Sequence, residues 1–306
     1  MLAGKFARQI DVVAAGLVGD GSECFGYDDD ISQDHDWGAG VCLWLSRRDF
    51  EAFGETLQAE LDALPRTFRG FPVRTGSTWG DRRTGVFEIG QFYRRFTGLD
   101  HVPRTLQEWM GIPESNLAAA TNGEVFADGR GEFTRFREGL LAFYPQDIRL
   151  QKIAARCMKI AQAGQYNYPR CIARGEFVAA RMAEAEFIDA TVSMTFLLNR
   201  VYRPFYKWVH RALTGLPILG PEMHMLLSEL VCDQTAPGVA AACGDRHRKR
   251  VQLVEVACAL VIGELQRQGL SGSTSDFLLD HGPSVQDKIE DPTIRKLGPW
   301  LDPSEH

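Results

Sequence analysis

The hydrophobic pattern changes near residue 100, and this change restricts the chain to folds with two differently built parts. Before that point, short apolar bursts such as 12–18 and 41–45 alternate with glycine-rich turns, which is typical of buried strands. After it, apolar residues recur at helical spacing over long stretches, including 146–163 and 175–201. The sequence therefore predicts an α+β fold, with an N-terminal mixed sheet followed by a C-terminal α-helical bundle.

The pattern divides the chain into three predicted parts, which are residues 1–102, 103–270 and 271–306. In the first part, strands over 69–74 and 84–92 follow a helix over 49–64, and a glycine-rich turn at 75–84 separates them. In the second part the longest helices are expected, with Gly164 ending the helix that begins at 146. The third part carries Gly, Ser, Pro and Asp and is predicted to be an extended tail.

Charge and cysteine content exclude several classes of protein. Among 306 residues, 34 Lys and Arg stand against 40 Asp and Glu, so the net charge is −6. General binding to duplex nucleic acid is not expected, although a local basic groove is compatible with this composition. The seven cysteines contain no Cys-x-x-Cys pair, and no apolar stretch is long enough for a membrane span. We therefore expect a cytoplasmic protein with reduced thiols.

One motif, which begins with glycine and is rich in aspartate, contains the best candidates for functional residues. Gly21-Ser22 follows a predicted strand, eleven residues intervene, and Asp34-x-Asp36 then leads towards a second strand. In extended chain the two carboxylates share one face, where their repulsion is relieved by a cation. Carboxylate oxygens suit Mg²⁺, and a Gly-Ser turn allows backbone N–H groups to approach a phosphate. Together these features predict a site for a metal-bound triphosphate.

The acidic motif fits a surface turn, a calcium-binding loop or a Gly-Lys-Ser/Thr phosphate loop less well. An isolated Asp-x-Asp is most often a surface turn, and the joint occurrence with Gly21-Ser22 is what favours a site. An EF-hand loop starting at Asp28 would need glycine where Gln33 stands and glutamate where Ala39 stands. A phosphate-binding loop of the Gly-Lys-Ser/Thr type does not occur in the sequence.

With these residues in place, the chain resembles the DNA polymerase β-type nucleotidyltransferase superfamily, and more closely the bacterial group DUF4037. The resemblance rests on Gly21-Ser22-Glu23, Gly26-Tyr27-Asp28-Asp29, Ser32-x-Asp34-His35-Asp36-Trp37, Tyr144-Pro145-Gln146-Asp147, Lys159-Ile160-Ala161-Gln162 and Tyr202-Arg203-Pro204-Phe205-Tyr206-Lys207-Trp208. It implies a polymerase β palm-like sheet, with Asp34 and Asp36 as ligands of Mg²⁺ or Mn²⁺ and Gly21-Ser22 as the triphosphate cradle. The Tyr-x-Pro-x-x-Lys-Trp element is also similar to nucleotidyltransferases that inactivate aminoglycosides and lincosamides.

The superfamily has a third acidic residue on a later strand, and Glu88 is the candidate here. It is the only acid in the apolar pattern 85–92, so it would serve as a metal ligand or as the general base. The alternative is an edge-strand glutamate that points to water. Some members of the superfamily take the base from the helical domain, which in this chain means Glu184, Glu186 or Asp189.

Two cationic features lie in the helical part. The resemblance implies that Lys207 reaches the triphosphate, whereas the alternative is a solvated lysine at a helix end that compensates the helix dipole. The run 246–250 is rich in Arg and Lys, but within an acidic chain a solvated helix face accounts for it better.

These expectations combine into a predicted Mg²⁺-dependent nucleotidyltransferase. It would transfer a nucleoside monophosphate, by default AMP from ATP, to an acceptor hydroxyl and release pyrophosphate. The helical domain would bind the acceptor, which is open between an antibiotic-like sugar, another metabolite, a protein hydroxyl and a tRNA end. The alternative is an antitoxin-like or non-catalytic partner-binding protein that keeps the nucleotidyltransferase fold.

Overall fold

A computed structural model describes residues 2–33, 37–74, 83–232 and 243–302 of the chain. They form two compact units. The first comprises Met1–Glu108 and Ile112–Phe143, and the second comprises Trp109–Gly111 and Tyr144–His306. A mixed sheet lies in the first unit and the second is helical, so the predicted α+β class is confirmed.

The elements up to residue 143 are short, apart from one helix of 16 residues. The strands are β1 (Ala14–Leu17), β2 (Cys42–Leu45), β3 (Thr67–Phe68), β4 (Phe71–Pro72), β5 (Gly85–Glu88) and β6 (Glu124–Ala127). The helices are α1 (Leu2–Lys5), α2 (Ser22–Phe25), α3 (Arg47–Asp62), α4 (Ile89–Thr97), α5 (Leu106–Met110), α6 (Glu114–Thr121) and α7 (Glu132–Leu141), with 3₁₀ turns at Ile10–Val12 and Asp30–Gln33.

The main sheet has the strand order β5-β2-β1-β6, and β3 pairs separately with β4. Strand β1 is antiparallel to both of its neighbours, whereas β2 and β5 run parallel. Gly16 pairs with Cys42, so the end of β1 lies beside the start of β2. The residues that follow β1 and those that lead into β2 therefore meet at one edge of the sheet.

Strand β2 is buried on both faces, which explains its uninterrupted apolar sequence. On one face the Trp44 ring stacks on Phe133 at a centroid distance of 3.8 Å. On the other face Leu43 and Leu45 belong to an apolar cluster that includes Leu57 of α3. Helices α7 and α3 thus pack on opposite faces of β2, at the centre of the sheet.

Two predicted strands of the first unit differ from the structure. The strand predicted over 84–92 ends at Glu88, because the Glu88 side chain caps helix α4 and Phe92 and Phe96 then face the core at helical spacing. The strand predicted over 69–74 is instead a hairpin turn followed by β4. Most of the predicted turn at 75–84 lies outside the described residues.

The first unit also continues beyond the predicted boundary at 102. Its fourth strand, β6, comes from residues 124–127, and Phe133 of α7 packs under Trp44. The sheet is therefore completed by chain that the pattern assigned to the helical domain 103–270.

The second unit is built around a long helix that is buried along most of its length. Its elements are α8 (Gln146–Ile160), a π-helix (Ala161–Asn167), α9 (Tyr168–Ala173), α10 (Phe177–Asn199), α11 (Tyr206–Leu213), α12 (Gly220–Val231), α13 (Cys243–Arg267), a 3₁₀ turn (Leu278–Asp280), α14 (His281–Gln286) and α15 (Pro292–Arg295). Within the described ranges, every helix is too short or too polar to cross a membrane.

Gly164 does not end the helix that begins at 146. The backbone passes through the π-helix into α9, and Gly164 lies inside this continuous stretch. A Cβ at Gly164 would stand 2.4 Å from the ring of Phe187 on α10. Glycine is therefore needed here for close helix packing rather than for helix termination.

The segment 271–302 is not the predicted extended tail. It contains α14 and α15 and lies against α8. The buried carboxylate of Asp302 accepts hydrogen bonds from Lys152, at 3.2 Å, and from Arg156, at 2.6 Å. The Gln151 side chain donates to the carbonyls of Gly298 and Leu301. Polar groups on α8 thus fix a segment whose composition resembles that of a loop.

Candidate functional site

Gly21 and Ser22 form a compact turn directly after β1, at the start of the four-residue helix α2. The Ser22 hydroxyl donates a hydrogen bond of 2.6 Å to the Asp28 carboxylate. The Tyr27 N–H donates to the Ser22 carbonyl at 2.9 Å, and Gly26 closes the turn with φ +70°. The predicted Gly-Ser turn is therefore present, and its hydroxyl points to an acid within the same loop.

The side chain of Glu23, rather than backbone strain, disfavours a larger residue at Gly21. Its φ of −159° is extended and open to any residue. A Cβ at this position, however, would stand 2.2–2.4 Å from the Glu23 carboxylate. That carboxylate forms an ion pair of 2.5 Å with Arg74. Any larger residue at position 21 must displace the ion pair.

Arg74 is the functional candidate that the sequence pattern does not reveal. Its side chain is 8% exposed. Its backbone N–H donates to the Ala39 carbonyl at 3.0 Å, and the Ala39 N–H donates to Pro72 at 2.8 Å. This pairing links the chain that follows Asp36 to the β4 segment and brings a buried cation to the Gly21 turn. The contact joins residues far apart in sequence, so no local signal predicts it.

Asp34 and Asp36 lie outside the described residues, and their role as metal ligands stays a prediction. In the part of the chain that is described, no group of three or more His, Cys, Asp or Glu side chains is arranged to hold a metal ion. Glu23 and Asp28 are engaged with Arg74 and Ser22. The donor set for Mg²⁺ therefore rests on the Asp34 and Asp36 carboxylates, which are hard oxygen ligands of the kind that this cation prefers.

Glu88 lies away from the Gly-Ser turn. Its carboxylate accepts hydrogen bonds from the backbone N–H groups of Gly90, at 2.9 Å, and Gln91, at 2.7 Å, and so caps α4. Glu88 pairs with Leu45 at the end of β2, whereas Cys42 at its start lies beside the end of β1. Three residues of strand, about 10 Å, separate these two ends. Glu88 and the end of β1 thus lie at opposite ends of β2, and the Glu88 carboxylate caps α4; its role towards Asp34 and Asp36 stays a prediction.

The three alternative acids of α10 lie in the second unit and differ in exposure. Glu184 is buried, 3.0 Å from Arg181 and 3.9 Å from Arg250. Asp189 forms an ion pair with Arg203, and Glu186 is exposed.

The run 246–250 is only partly the predicted solvated face. Arg246, Arg248 and Lys249 are exposed, whereas Arg250 is buried and donates to the Leu230 carbonyl. Arg250 also lines a cavity of about 150 Å³ together with Glu184, His247 and Tyr168, whose hydroxyl lies 3.2 Å from His247 Nδ1.

Lys207 lies in the first turn of α11, and its ammonium group stands 5.1 Å from the centre of the Trp208 ring. Its side chain is exposed. The long helix α10 ends earlier, at Asn199. A cation in a first turn meets the positive end of the helix dipole, so the alternative that Lys207 compensates the dipole is wrong. Its approach to a triphosphate stays a prediction.

Two cysteines near the turn are poor nucleophiles. Burial raises the pKa of the Cys42 thiol to about 11 and raises the pKa of Cys24 as well. The Cys42 thiol donates to the Arg83 carbonyl at 3.4 Å. Both thiols are therefore protonated at neutral pH, which excludes thiolate catalysis by these two groups.

Comparisons with known proteins support a family for part of the chain. A search among curated proteins gives no match. A solved structure described as a nucleotidyltransferase-like protein from Exiguobacterium sibiricum 255-15 is similar at 12% identity and a TM-score of 0.34, over 88% of this chain and 73% of that one. This similarity is too distant to assign an activity.

The family model with the description "Domain of unknown function (DUF4037)" matches residues 109–209. The match includes Lys207 and the acids of α10, while Gly21, Ser22, Asp34 and Asp36 precede it. The predicted resemblance to this family is confirmed over residues 109–209, where the chain is similar to DUF4037.

Proposed function

We propose that the protein is a Mg²⁺-dependent nucleotidyltransferase that transfers a nucleoside monophosphate, by default AMP from ATP, to an acceptor hydroxyl. One observation carries this proposal. The Gly21-Ser22 turn follows β1, the chain that contains Asp34 and Asp36 leads into β2, and the two strands are antiparallel neighbours at this edge. A phosphate-binding turn and a pair of metal-binding carboxylates belong together in such an enzyme.

Each proposed group has a separate task. Asp34 and Asp36 would hold Mg²⁺, or Mn²⁺ in its place, and the bound metal would neutralise charge on the triphosphate and acidify the acceptor hydroxyl. Gly21 and Ser22 would donate hydrogen bonds to phosphate oxygens, the Ser22 hydroxyl exchanging Asp28 for phosphate. Arg74, which pairs with Glu23 beside the turn, would contribute positive charge if it exchanged that carboxylate for phosphate. Positioning and charge neutralisation would then supply most of the catalysis.

Two further groups are proposed from the resemblance to the superfamily. The Lys207 ammonium is proposed to pair with the triphosphate as a compact point charge. Glu88 stays the proposed general base or third metal ligand, and the alternatives for the base are Glu184, Glu186 and Asp189 of α10. Substituting each by its amide isolates the base, since loss of a base lowers turnover while nucleotide affinity is kept.

A transfer assay tests the proposal. Labelled nucleoside triphosphates, Mg²⁺ or Mn²⁺ and a panel of hydroxyl acceptors are incubated with the protein, and pyrophosphate release and label transfer are measured together. Wild type should release pyrophosphate in step with label transfer, and Asp36→Asn should do neither. Equal pyrophosphate release by Asp36→Asn contradicts the proposal.

The alternative, a non-catalytic protein that keeps the fold, is favoured by one observation. The Ser22 hydroxyl is bound to Asp28, and the Glu23 carboxylate lies over Gly21, so the turn is engaged within the chain. Glu23→Ala removes that carboxylate and opens the turn. Absence of nucleotide binding in both wild type and Glu23→Ala would support the alternative.

A further inference from the structure

An exposed hairpin stands next to the Gly21 turn. Strands β3 and β4 are joined by Arg69 and Gly70, with φ values of +52° and +86°, as in a type I′ turn. Phe68 pairs directly with Phe71, which places both rings on one face of the hairpin. Phe68 is 60% exposed and Phe71 is 55% exposed, so both rings present area to solvent.

Two further side chains extend this surface. The Trp37 ring meets Phe71 edge-on, with centroids 5.9 Å apart. The Arg69 guanidinium lies 5.6 Å from the centre of the Phe68 ring. We call Trp37, Phe68, Arg69 and Phe71 the aromatic strip. Contiguous exposed apolar side chains rimmed by polar groups mark interaction sites more often than scattered ones do.

The exposed charges of the hairpin are positive, opposite in sign to the net charge of the chain. Residues 65–74 contain three arginines and no acid, and Arg66 and Arg69 are exposed, whereas the chain carries a net charge of −6. Exposed rings interleaved with arginine are the combination that binds single-stranded nucleic acid, because bases stack on rings while guanidinium groups neutralise phosphates. In a duplex the base faces are already stacked on one another and are not open to these rings.

The aromatic strip is continuous with the proposed active site. Ala39 bridges to Val73, and the Arg74 backbone bonds to Ala39, so β4 is attached to the chain that directly follows Asp36. Arg74 itself reaches Glu23 beside Gly21. A strand of nucleic acid lying on the hairpin would therefore pass close to the Gly-Ser turn.

We propose that the aromatic strip binds a single-stranded nucleic acid, RNA or DNA, and that the acceptor of the transfer is a hydroxyl of that strand. The identity of the acceptor rests on the proposed function, whereas the binding of a single strand does not depend on it. Bases stack on Phe68 and Phe71, and the arginines of the hairpin contact the phosphates.

Binding is measured by fluorescence anisotropy with labelled 12-nucleotide RNA, DNA of the same sequence, and the matching duplex, without nucleotide or metal. Wild type should bind the single strands more tightly than the duplex, and comparing RNA with DNA identifies the preferred sugar. Phe68→Ala and Phe71→Ala should each weaken binding by about fivefold or more, the usual loss per stacked base. The matched control is Phe126→Ala on β6, which removes a ring that is 59% exposed, and it should leave binding unchanged.

The salt dependence tests the charged part of the surface. Arg69→Gln should lower the slope of log K against log salt concentration by about 0.7, the value for one contact to a single strand. Arg48→Gln, an exposed arginine of α3, should not change the slope. Phe68→Leu keeps an apolar side chain without the ring, so it separates lost stacking from a damaged hairpin and should also weaken binding.

Three results would overturn the inference: absence of single-strand binding by wild type, tighter binding of the duplex, or equal weakening by Phe126→Ala. Strand binding is measured on wild type without nucleotide or metal, so it does not depend on transfer. Failure of the transfer assay is therefore distinguishable from failure of this surface.

Discussion

At Gly21 the Glu23 carboxylate stands where a Cβ would lie, so a larger residue there requires that carboxylate to move. We expect Gly21→Ala to displace the Glu23–Arg74 ion pair and to lower stability by about 1–3 kcal/mol, the usual cost of overpacking. Nucleotide affinity should fall as well. Gly4→Ala is the control, since nothing lies within 4 Å of its Cβ position. Thermal unfolding and nucleotide titration of both variants check this, and equal behaviour would contradict it.

Ser22 contributes its side-chain hydroxyl, whereas Gly21 contributes the absence of a side chain. Ser22→Ala removes one donor to a charged acceptor, so triphosphate affinity should fall by roughly 1–3 kcal/mol. Because the Asp28 carboxylate also loses its partner, metal-free stability should fall slightly. An unchanged titration with nucleotide and Mg²⁺ would remove Ser22 from the site.

Glu88 distinguishes a catalytic carboxylate from a helix cap. If Glu88 only caps α4, Glu88→Ala should cost about 1 kcal/mol of stability and leave turnover intact, while Glu88→Asp keeps most of the cap. Chemical denaturation and the transfer assay on both variants decide. A loss of turnover by orders of magnitude at unchanged stability would instead support Glu88 as a base or metal ligand.

Lys207 carries two small and opposite contributions to stability. Its place in the first turn of α11 costs about 0.3–1 kcal/mol, and its contact with the Trp208 ring offsets about 0.5–1 kcal/mol. Lys207→Met should therefore change stability by less than about 0.5 kcal/mol, while nucleotide affinity and its salt dependence both fall. Lys288→Met, also exposed in the second unit, is the control. Unchanged affinity would exclude Lys207 from the site.

At the scale of elements, substitutions of two helical glycines distinguish the effect of side-chain packing from that of helix propensity. Gly164→Ala would place a methyl group against Phe187, so we expect a loss of about 1–3 kcal/mol. Gly263 in α13 has nothing within 4 Å of its Cβ position, and Gly263→Ala should stabilise by about 0.8–1 kcal/mol. Opposite shifts of the unfolding midpoint in the two variants are expected, and shifts of equal sign would contradict the packing role of Gly164.

Periodicity locates the long elements well, and local chemistry explains where it fails. The pattern predicts a helix at 49–64 and the structure has α3 at Arg47–Asp62, because a regular apolar stripe marks a helix strongly. The segment 84–92 fits a strand since its aromatic residues suit either period, and only the Glu88 cap separates strand from helix. Residues 69 and 70 give no turn signal strong enough to break the predicted strand, because arginine seldom adopts positive φ.

At the scale of the whole molecule, contacts between residues far apart in sequence determine the features that the sequence pattern does not predict. The α+β class follows from the change of pattern near residue 100. The boundary between the two units near residue 143 does not follow from the pattern, because β6 pairs with β1, which lies more than one hundred residues earlier. The same holds for the site: Gly21 and Ser22 are predicted from a local motif, whereas Arg74 reaches Glu23 only through the folded chain.

The last described residues are tied to α8 by buried charge. Asp302→Asn would remove the buried carboxylate that pairs with Lys152 and Arg156, and breaking such a pair costs about 3–5 kcal/mol. Asp287→Asn, an exposed acid in the same segment, should change stability by less than about 0.5 kcal/mol. Chemical denaturation of both variants checks this. Equal stability of the two variants would contradict a structural role for the 271–302 segment.

Metal-dependent nucleotide binding is the most direct test of the central proposal. A non-hydrolysable ATP analogue is titrated into wild type and into Asp36→Asn by calorimetry, each with Mg²⁺ and with chelator. The proposal predicts Mg²⁺-dependent binding by wild type and loss of that dependence in Asp36→Asn. The unfolding temperature of the metal-free variant should be unchanged or slightly raised, because the substitution removes the charge of one of two neighbouring carboxylates. Binding to Asp36→Asn in Mg²⁺ with wild-type affinity would contradict the proposed nucleotidyltransferase site.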